Sequence, residues 1–482
     1  MFTTLRRTAP LWLLLTALAG FGSALHAAAP SSPPATPPST LADGYAADDD
    51  PTGSWEPPAV YLTWQRDPSA TMTVHWHSWP DRPVSAVRYR PAGDDDAPWS
   101  TVTGTSRPMP ATERRVHTVE LTGLDPDTRY AFEPGRDAVD FHFRTLPDTP
   151  TRPIRFVVSG CIYDVYETYV GLADRLAARS PDFAVLNGDI AYADAELRKF
   201  FKWTRFLEGW KNHMVTPAGD LVPMLWTLGN HEVAGGYDQD PSAAPFFYNL
   251  IAFPQPGFGV IDVGDYLSIV LLDSAHTNPI DGVQKAWLEQ TLKPRADVPH
   301  LFAAYHVPAY PSARGFGGEI NQRVREHWVP LFEAHGVDVA FEAHDHAFKR
   351  THPIRNGEID EHGIVYMGDG GWATNGTRTP AGPGSPWSGG RWYLAESAAA
   401  NHALLVTLDG DLRTFEPIDI HGNVLGGGPY RMTAGQPVSI TLSAGTGFSP
   451  PIWAWLIALA ILLVAGGAGY AVAKNKRQSP AA

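Results

Sequence analysis

The chain has 482 residues, 44% of them apolar and 18% charged, with a formal charge of −14 (37 Lys and Arg against 51 Asp and Glu) and one cysteine. The apolar share excludes a chain that is disordered throughout. The negative balance excludes broad nucleic-acid binding through phosphates, and a single cysteine excludes an internal disulfide framework.

In chain order, residues 1–29 read as a secretory signal: Arg6 and Arg7 make a basic start, an apolar run opens at 11–15, and Ala27-Ala28-Ala29 supplies small residues for cleavage. An N-terminal anchor helix is the alternative. Residues 30–54 form a linker rich in proline (Pro30, Pro33, Pro34, Pro37, Pro38). Residues 55–147 read as all-β, with short runs at 60–64, 72–76, 86–90, 117–121 and 141–145 separated by turn signals. Over 152–425 the pattern becomes α/β. Strands are expected at 154–158, 183–186, 224–227, 267–272, 301–305, 337–341 and 364–367, and helices at 166–178, 196–210, 282–292 and 321–334. A late hairpin at 403–408 and 412–417 turns at Asp409-Gly410.

Residues 426–451 are weakly patterned and read as a juxtamembrane segment. Residues 452–473 carry no charge and suffice, as a helix, to cross about 30 Å of hydrocarbon. Trp453, Trp455 and Tyr470 sit near its edges, and Lys474, Lys476 and Arg477 open a cytoplasmic tail, 474–482. These ends predict an exported periplasmic or extracellular ectodomain, anchored in the cytoplasmic membrane by one C-terminal helix. A sorting tail removed after export is the open alternative.

The residues that carry chemistry follow the apolar runs, where open α/β sheets bind ligands. They are Asn187-Gly188-Asp189-Ile190-Ala191-Tyr192-Ala193-Asp194, Gly229-Asn230-His231-Glu232, His306-Val307-Pro308-Ala309-Tyr310, and His344-Asp345-His346-Ala347-Phe348-Lys349-Arg350. Each alone is weak, since an Asp after a strand often caps a helix and Asn-His is common in turns. Four such pieces in one order point to a metal site. Asp189 has two oxygens and can bridge two cations, Asn230 offers a neutral oxygen and His306 a nitrogen. His344 and His346, two residues apart, share a face in extended chain. A Tyr192 phenolate favours a trivalent ion such as Fe3+ over Zn2+. A hydroxide held by two cations is a nucleophile at low pH and suits in-line displacement at phosphorus.

The series Gly-Asp-x-x-Tyr, Gly-Asn-His-Glu, His-x-Pro-x-Tyr and His-x-His-x-Phe-x-Arg, with Gly368-Asp369-Gly370-Gly371, resembles that of purple acid phosphatases among the calcineurin-like metallophosphoesterases. The turn from Gly123 and Leu124 to Tyr130 resembles that of fibronectin type III sandwiches, which precede the catalytic domain in larger members. The resemblance implies a metallophosphoesterase α/β-β/α sandwich after a small all-β fibronectin type III-like sandwich. It also implies a dinuclear centre of Fe3+ with Fe2+, Zn2+ or Mn2+. Asp189 would bridge the ions, Tyr192 and His346 would bind the ferric ion, and Asn230, His306 and His344 the divalent one. His231 would be the catalytic residue that contacts substrate phosphate or protonates the leaving group. Glu232 and Asp369 would orient ligands from behind. The implied activity is acid phosphatase-type hydrolysis of a small phosphomonoester by a metal-bound hydroxide. The alternatives are a phosphodiesterase on the same scaffold, acting on nucleotides or lipid headgroups, and a cell-surface binding protein with a degraded metal site.

Two positions depart from that pattern. Where the family opens with Gly-Asp, this chain has Gly160-Cys161. Cys161 reads as a thiolate ligand, as in a separate group of exported alkaline phosphatases; alternatively Asp164 reaches in, or the thiol is simply small and buried. A lone thiol in an oxidising compartment survives when bound or buried. Ala343 stands where the family has glycine. Beyond His306, a segment rich in small residues holds Tyr310 and Arg314, both expected at the substrate pocket, and the Arg314 fork suits a pair of phosphate oxygens. A solvated surface Arg is the alternative. His276 and Trp372 are candidates for the mouth.

Overall fold

Alternation along the strands builds two sandwiches in succession. The computed structural model describes residues 55–440 apart from 95, 137, 253–255 and 382–390. The expected signal segment, linker, C-terminal membrane helix and tail lie outside the described residues. Among the described residues, no helix is long and apolar enough to cross a membrane.

The first sandwich pairs Val60–Thr63, Thr71–Ser78, Arg115–Thr122 and Thr105–Pro108 in one sheet, and Ser100–Thr103, Ala86–Pro91, Arg129–Pro134 and Phe141–Arg144 in the other. Met72, Val74 and Trp76 point inward and pack with Val87, Phe132 and Phe143. The alternate residues His75 and His77 point the other way and are buried. There the Tyr61 ring stacks on His75 with centroids 4.8 Å apart and on Trp226 of the following domain at 6.1 Å. The turn ahead of Tyr130 closes when the Asp125 amide donates to the phenol oxygen at 2.9 Å, a tyrosine corner.

The second unit sets a six-stranded sheet against a seven-stranded one. In the first, Met224–Thr227, Phe183–Asn187 and Ile154–Ser159 run parallel, and His402–Asp409 pairs antiparallel with Ile154–Ser159. In the second, Leu267–Leu271, His300–Ala304, Val339–Glu342 and Val365–Gly368 run parallel. Phe156, Val158, Phe183, Phe302, Phe341 and Met367 fill the space between the sheets. The residues one step along face outward: Val157, Ala184 and Leu186 meet Leu172, Phe206 and Trp210 of two helices, while Leu301, Ala303 and Ala340 meet Leu288, Trp328 and Phe332. This is the period-2 pattern of strands buried on both faces.

The expected helix over 321–334 is two helices, Glu319–His327 and Val329–His335. Pro330 lacks an amide hydrogen and cannot continue the first ladder. The expected helix at 196–210 begins as a 3-10 turn, Leu197–Lys199, and runs on as Phe200–His213. Tyr430–Thr433, in the segment read as weakly patterned, pairs as an edge strand with Leu412–Asp419.

Parallel strands bring their C-terminal ends to one rim, and backbone bonds stitch the rim loops together. Cys161 and Ile162 amides donate to Gly188 and Asp189 oxygens at 2.9 and 2.8 Å, Gly371 donates to Gly160 at 3.0 Å, and Ala343 donates to His306 at 2.9 Å.

Candidate metal centre

Backbone strain is concentrated on this rim. Cys161, Asp189, Tyr192, Asp194, His344, His346 and Asp369 all hold positive φ, between 52° and 85°. For Tyr and Cys this is a costly conformation that persists only when the surroundings over-determine it. His344 and His346 are therefore not in extended chain, as their spacing had suggested. Left-handed residues turn the loop after Val339–Glu342 so that the His344 ring meets His306 and the His346 ring meets Tyr192.

On one side, His344 Nδ1 lies 3.2 Å from His306 Nε2, which is itself 3.1 Å from Asp189 Oδ2. On the other, the Tyr192 hydroxyl lies 3.2 Å from His346 Nε2. Cys161 Sγ is 3.9 Å from Asp189 Oδ2, and ligand atoms of Cys161, Asp189 and His306 fall within 4.8 Å of one another. The Asn230 side-chain oxygen is buried with no hydrogen-bond partner among the described residues. Asp164 is not brought in: its carboxylate accepts the Asn375 amide at 3.1 Å and faces Lys202 at 3.9 Å.

These donors suit cations. Burial drives His344 well below its ordinary pKa and takes His346 to about 4, so both rings are neutral. Burial alone would raise Asp189, but His306 above all, with His231, holds the carboxylate ionised. Burial also disfavours charge on His306; Asp189 outweighs it and raises that pKa. Without a cation the Asp189–His306 contact keeps a proton, and a cation fits the same position. Burial and the Asp189 charge push the Cys161 thiol far up, so a thiolate there needs a cation beside it. The residues present thus fit a pair of metal ions, with hard oxygen donors and borderline nitrogens around one shared carboxylate.

Behind them, Glu232 accepts amide hydrogens from Asp189 at 2.7 Å, Ile190 at 2.8 Å and Gly229 at 2.9 Å, which fixes the Asp189 loop. The Asp369 carbonyl accepts the His346 amide at 2.8 Å, and its carboxylate accepts the Ser312 amide at 2.9 Å. A Cβ on Gly370, whose φ is +76°, would lie 2.8 Å from Cys161 Sγ, so no side chain fits there. Ala343 is tolerated because its backbone is not left-handed. His231, half-buried, donates its amide to Asp189 Oδ1 at 2.8 Å, and its Nδ1 bonds to Asp194, which also binds Lys199. Its Nε2 is 4.0 Å from Asp189 Oδ2.

Two expected pocket residues are elsewhere. The Tyr310 ring is buried against Tyr366 and Tyr393, with centroids 4.6 and 5.2 Å away, because the apolar body of the ring completes that aromatic core. Trp372 is fully buried and donates to the Tyr169 carbonyl at 3.1 Å. Arg314 does stand at the rim, with its Nε 3.3 Å from the His344 carbonyl. Sequence reasoning missed Asp194, Asp345 and Tyr237, whose hydroxyl lies 3.5 Å from His344 Nε2. Asp194 and Asp345 lay inside the quoted motifs, and nothing in the sequence signalled Tyr237. His276 is buried with its ring 5.6 Å from His306.

Comparison with known proteins follows the same division. Residues 57–145 match the model of the purple acid phosphatase N-terminal domain, and residues 140–348 that of the calcineurin-like phosphoesterases. The chain is 28% identical to purple acid phosphatase 18 of Arabidopsis thaliana over 295 residues, 57% of this chain and 62% of that one. It is 27% identical to a phosphoenolpyruvate phosphatase of Allium cepa, covering 68% of each. It spans 53% to 62% of the length of purple acid phosphatases 18, 15 and 13 of Arabidopsis thaliana. The fold is shared with the yellow lupin purple acid phosphatase PPD1 at TM-score 0.64 and 16% identity, over 80% of this chain and 77% of that one. It is also shared with PhoD at TM-score 0.59 and 13% identity, over 83% and 95%. The chain thus carries a purple acid phosphatase N-terminal domain over residues 57–145 and a calcineurin-like phosphoesterase domain over residues 140–348, and it is similar over much of this span to purple acid phosphatases.

Proposed function

We propose that the chain hydrolyses small-molecule phosphomonoesters at a pair of metal ions, Fe3+ with divalent Fe, Zn or Mn. The observation that carries this reading is the convergence on Asp189 of neutral imidazoles, a phenol and a thiol, with Asp189 Oδ2 only 3.1 Å from His306 Nε2. In this reading Asp189 would bridge the two ions, Tyr192, His346 and Cys161 would hold one, and Asn230, His306 and His344 would hold the other. When bound, such ions acidify water and neutralise charge on phosphoryl oxygens. His231, its Nδ1 engaged by Asp194, presents Nε2 at the rim to meet a phosphoryl oxygen or to give a proton to the leaving alkoxide. Glu232 holds the Asp189 loop so that the donors need not reorganise during the reaction. The names of the relatives, acid phosphatases and a phosphoenolpyruvate phosphatase, support the same class. The sequence signals at the two ends support an exported, membrane-anchored ectodomain.

The test is metal analysis of the purified full chain, with hydrolysis of 4-nitrophenyl phosphate and bis(4-nitrophenyl) phosphate before and after chelation. Two ions per chain, faster monoester hydrolysis, and loss on chelation with recovery on metal return are expected. A metal-loaded chain that hydrolyses neither ester would leave a binding protein; faster diester hydrolysis would replace the monoesterase reading with a diesterase.

A further inference from the structure

The segment Ser312-Ala313-Arg314 crosses the rim beside His344, and buried charges seize its backbone from both sides. Asp345, fully buried between the two histidines of the motif, accepts the Ala313 amide at 2.5 Å and the Arg314 amide at 2.8 Å with one carboxylate oxygen. Its other oxygen faces Arg314 Nε at 3.4 Å, an ion-pair distance. Arg391, also buried, donates to the carbonyls of Ser312 and Arg314, and Asp369 takes the Ser312 amide. Burying charge is costly unless it is fully satisfied. Here most of that satisfaction goes to the backbone of three loop residues.

The outcome is one exposed group. The Arg314 side chain is 38% exposed, and only its inner edge is engaged, through Nε on Asp345 and the His344 carbonyl. Its two terminal nitrogens have no hydrogen-bond partner among the described residues. With its Nε 3.3 Å from the His344 carbonyl, the guanidinium stands beside the donor cluster. A guanidinium held by Nε keeps a planar two-pronged fork for a pair of oxygens.

We propose that Arg314 is the residue that selects a phosphomonoester over a diester, and that Asp345 is its positioning residue. This rests on the phosphoesterase reading of the centre. A monoester has three terminal oxygens sharing up to two charges, whereas a diester has two sharing one. A fixed fork therefore meets an oxygen pair that carries more charge on the monoester than on the diester, and pairs with it more strongly. Asp345 supplies the aim: with its carboxylate removed, the Arg314 backbone loses its anchor and the fork loses its counter-charge.

The experiment is a double-mutant cycle on the metal-loaded full chain: Arg314→Gln, Asp345→Asn and the pair together. The readouts are kcat and KM on 4-nitrophenyl phosphate and 4-nitrophenyl methyl phosphate, competitive inhibition by inorganic phosphate, and metal content. Each single substitution is expected to lower the monoester-over-diester ratio of kcat/KM by about tenfold or more, mainly through KM, and to weaken phosphate inhibition in parallel. In the Arg314→Gln background, Asp345→Asn is expected to add less than about twofold, since it acts through the group already lost. Full additivity, or a ratio unchanged by Arg314→Gln, overturns the proposal. Metal loss in Asp345→Asn overturns the positioning role, and Arg314→Lys, which keeps the charge but not the fork, then decides the selectivity claim by whether it lowers the ratio. Failure of the unsubstituted chain to hydrolyse either ester is a different result and refutes the phosphoesterase reading itself.

Discussion

His306 Nδ1 lies 2.6 Å from the backbone oxygen of Asn187, and that single bond decides which nitrogen of the ring faces Asp189. It ties the end of a strand in one sheet to the end of a strand in the other. His306→Ala removes both the bond and the partner of a fully buried carboxylate. We expect metal content to fall from two ions toward one per chain and kcat/KM to fall at least about 100-fold, the upper range for losing a group that supports a metal site. Elemental analysis of the purified variant, read beside its activity, checks this.

Tyr192→Phe keeps the ring packed on His231, whose centroid is 4.3 Å away, and removes only the hydroxyl facing His346. If iron sits there, the native protein shows a visible phenolate-to-iron band that vanishes in the variant while the melting temperature stays nearly constant. A colourless native protein holding only zinc would exchange this for a di-zinc centre. In Cys161→Ala, iron occupancy should drop; unchanged iron would end the thiolate assignment.

Gly370→Ala is expected to be severe for a one-carbon change. The position holds φ of +76°, and the added methyl would come within 2.8 Å of Cys161 Sγ and 3.0 Å of the His344 amide. Left-handed backbone alone costs about 1–2 kcal/mol for a residue with Cβ, and the contact must shift donors at the rim. Loss of metal affinity with secondary structure intact by circular dichroism is the expected result.

Acid should weaken the junction between the sandwiches. His75 and His77 are fully buried beside Tyr61, and burial holds both near a pKa of about 3, with Arg107 and Arg114 adding repulsion. His75 bonds to Thr63 and Thr118 at 2.9 and 3.1 Å, while neither ring nitrogen of His77 has a partner among the described residues. Other groups facing this pair are His117, held near about 4, and the phenol of Tyr61. Folded pKa values lie below the unfolded value of 6.5, so the unfolded chain binds more protons in acid. Stability is then fully present above pH 6.5 and is lost as pH falls toward 3, by on the order of 1 kcal/mol per pH unit for each histidine. Denaturant unfolding at pH 7 and pH 4.5 measures the slope. His77→Leu should flatten it with little change at neutral pH, because the ring makes no hydrogen bond to lose.

The candidate donors were legible because each follows an apolar run, and parallel strands must end together. Naming Asp189, Asn230, His306, His344 and His346 as candidates needed no more than that. The manner of convergence was not legible, because left-handed φ at His344 and His346 depends on carbonyls from another loop, such as Asp369 accepting the His346 amide. Tyr310 misled for a related reason: a tyrosine after a histidine motif looks available until aromatic partners far along the chain, Tyr366 and Tyr393, enclose it. Asp345 lay in plain view between two histidines, but its partners at 313 and 314 belong to a segment with no pattern of its own.

The strand His402–Asp409 is made late, long after the first strand of its sheet, and is inserted beside it, where Ser159 Oγ donates to the His402 carbonyl at 3.1 Å and the His402 amide to Gly371 at 3.0 Å. A growing polypeptide therefore cannot seal the loop bearing Cys161 until the ribosome has passed residue 402. Until then the first strand offers an open edge, and the lone thiol waits without its shelter. Cofactor loading thus belongs after release of the chain, and truncations short of that strand should yield aggregation-prone, oxidisable protein rather than a smaller enzyme.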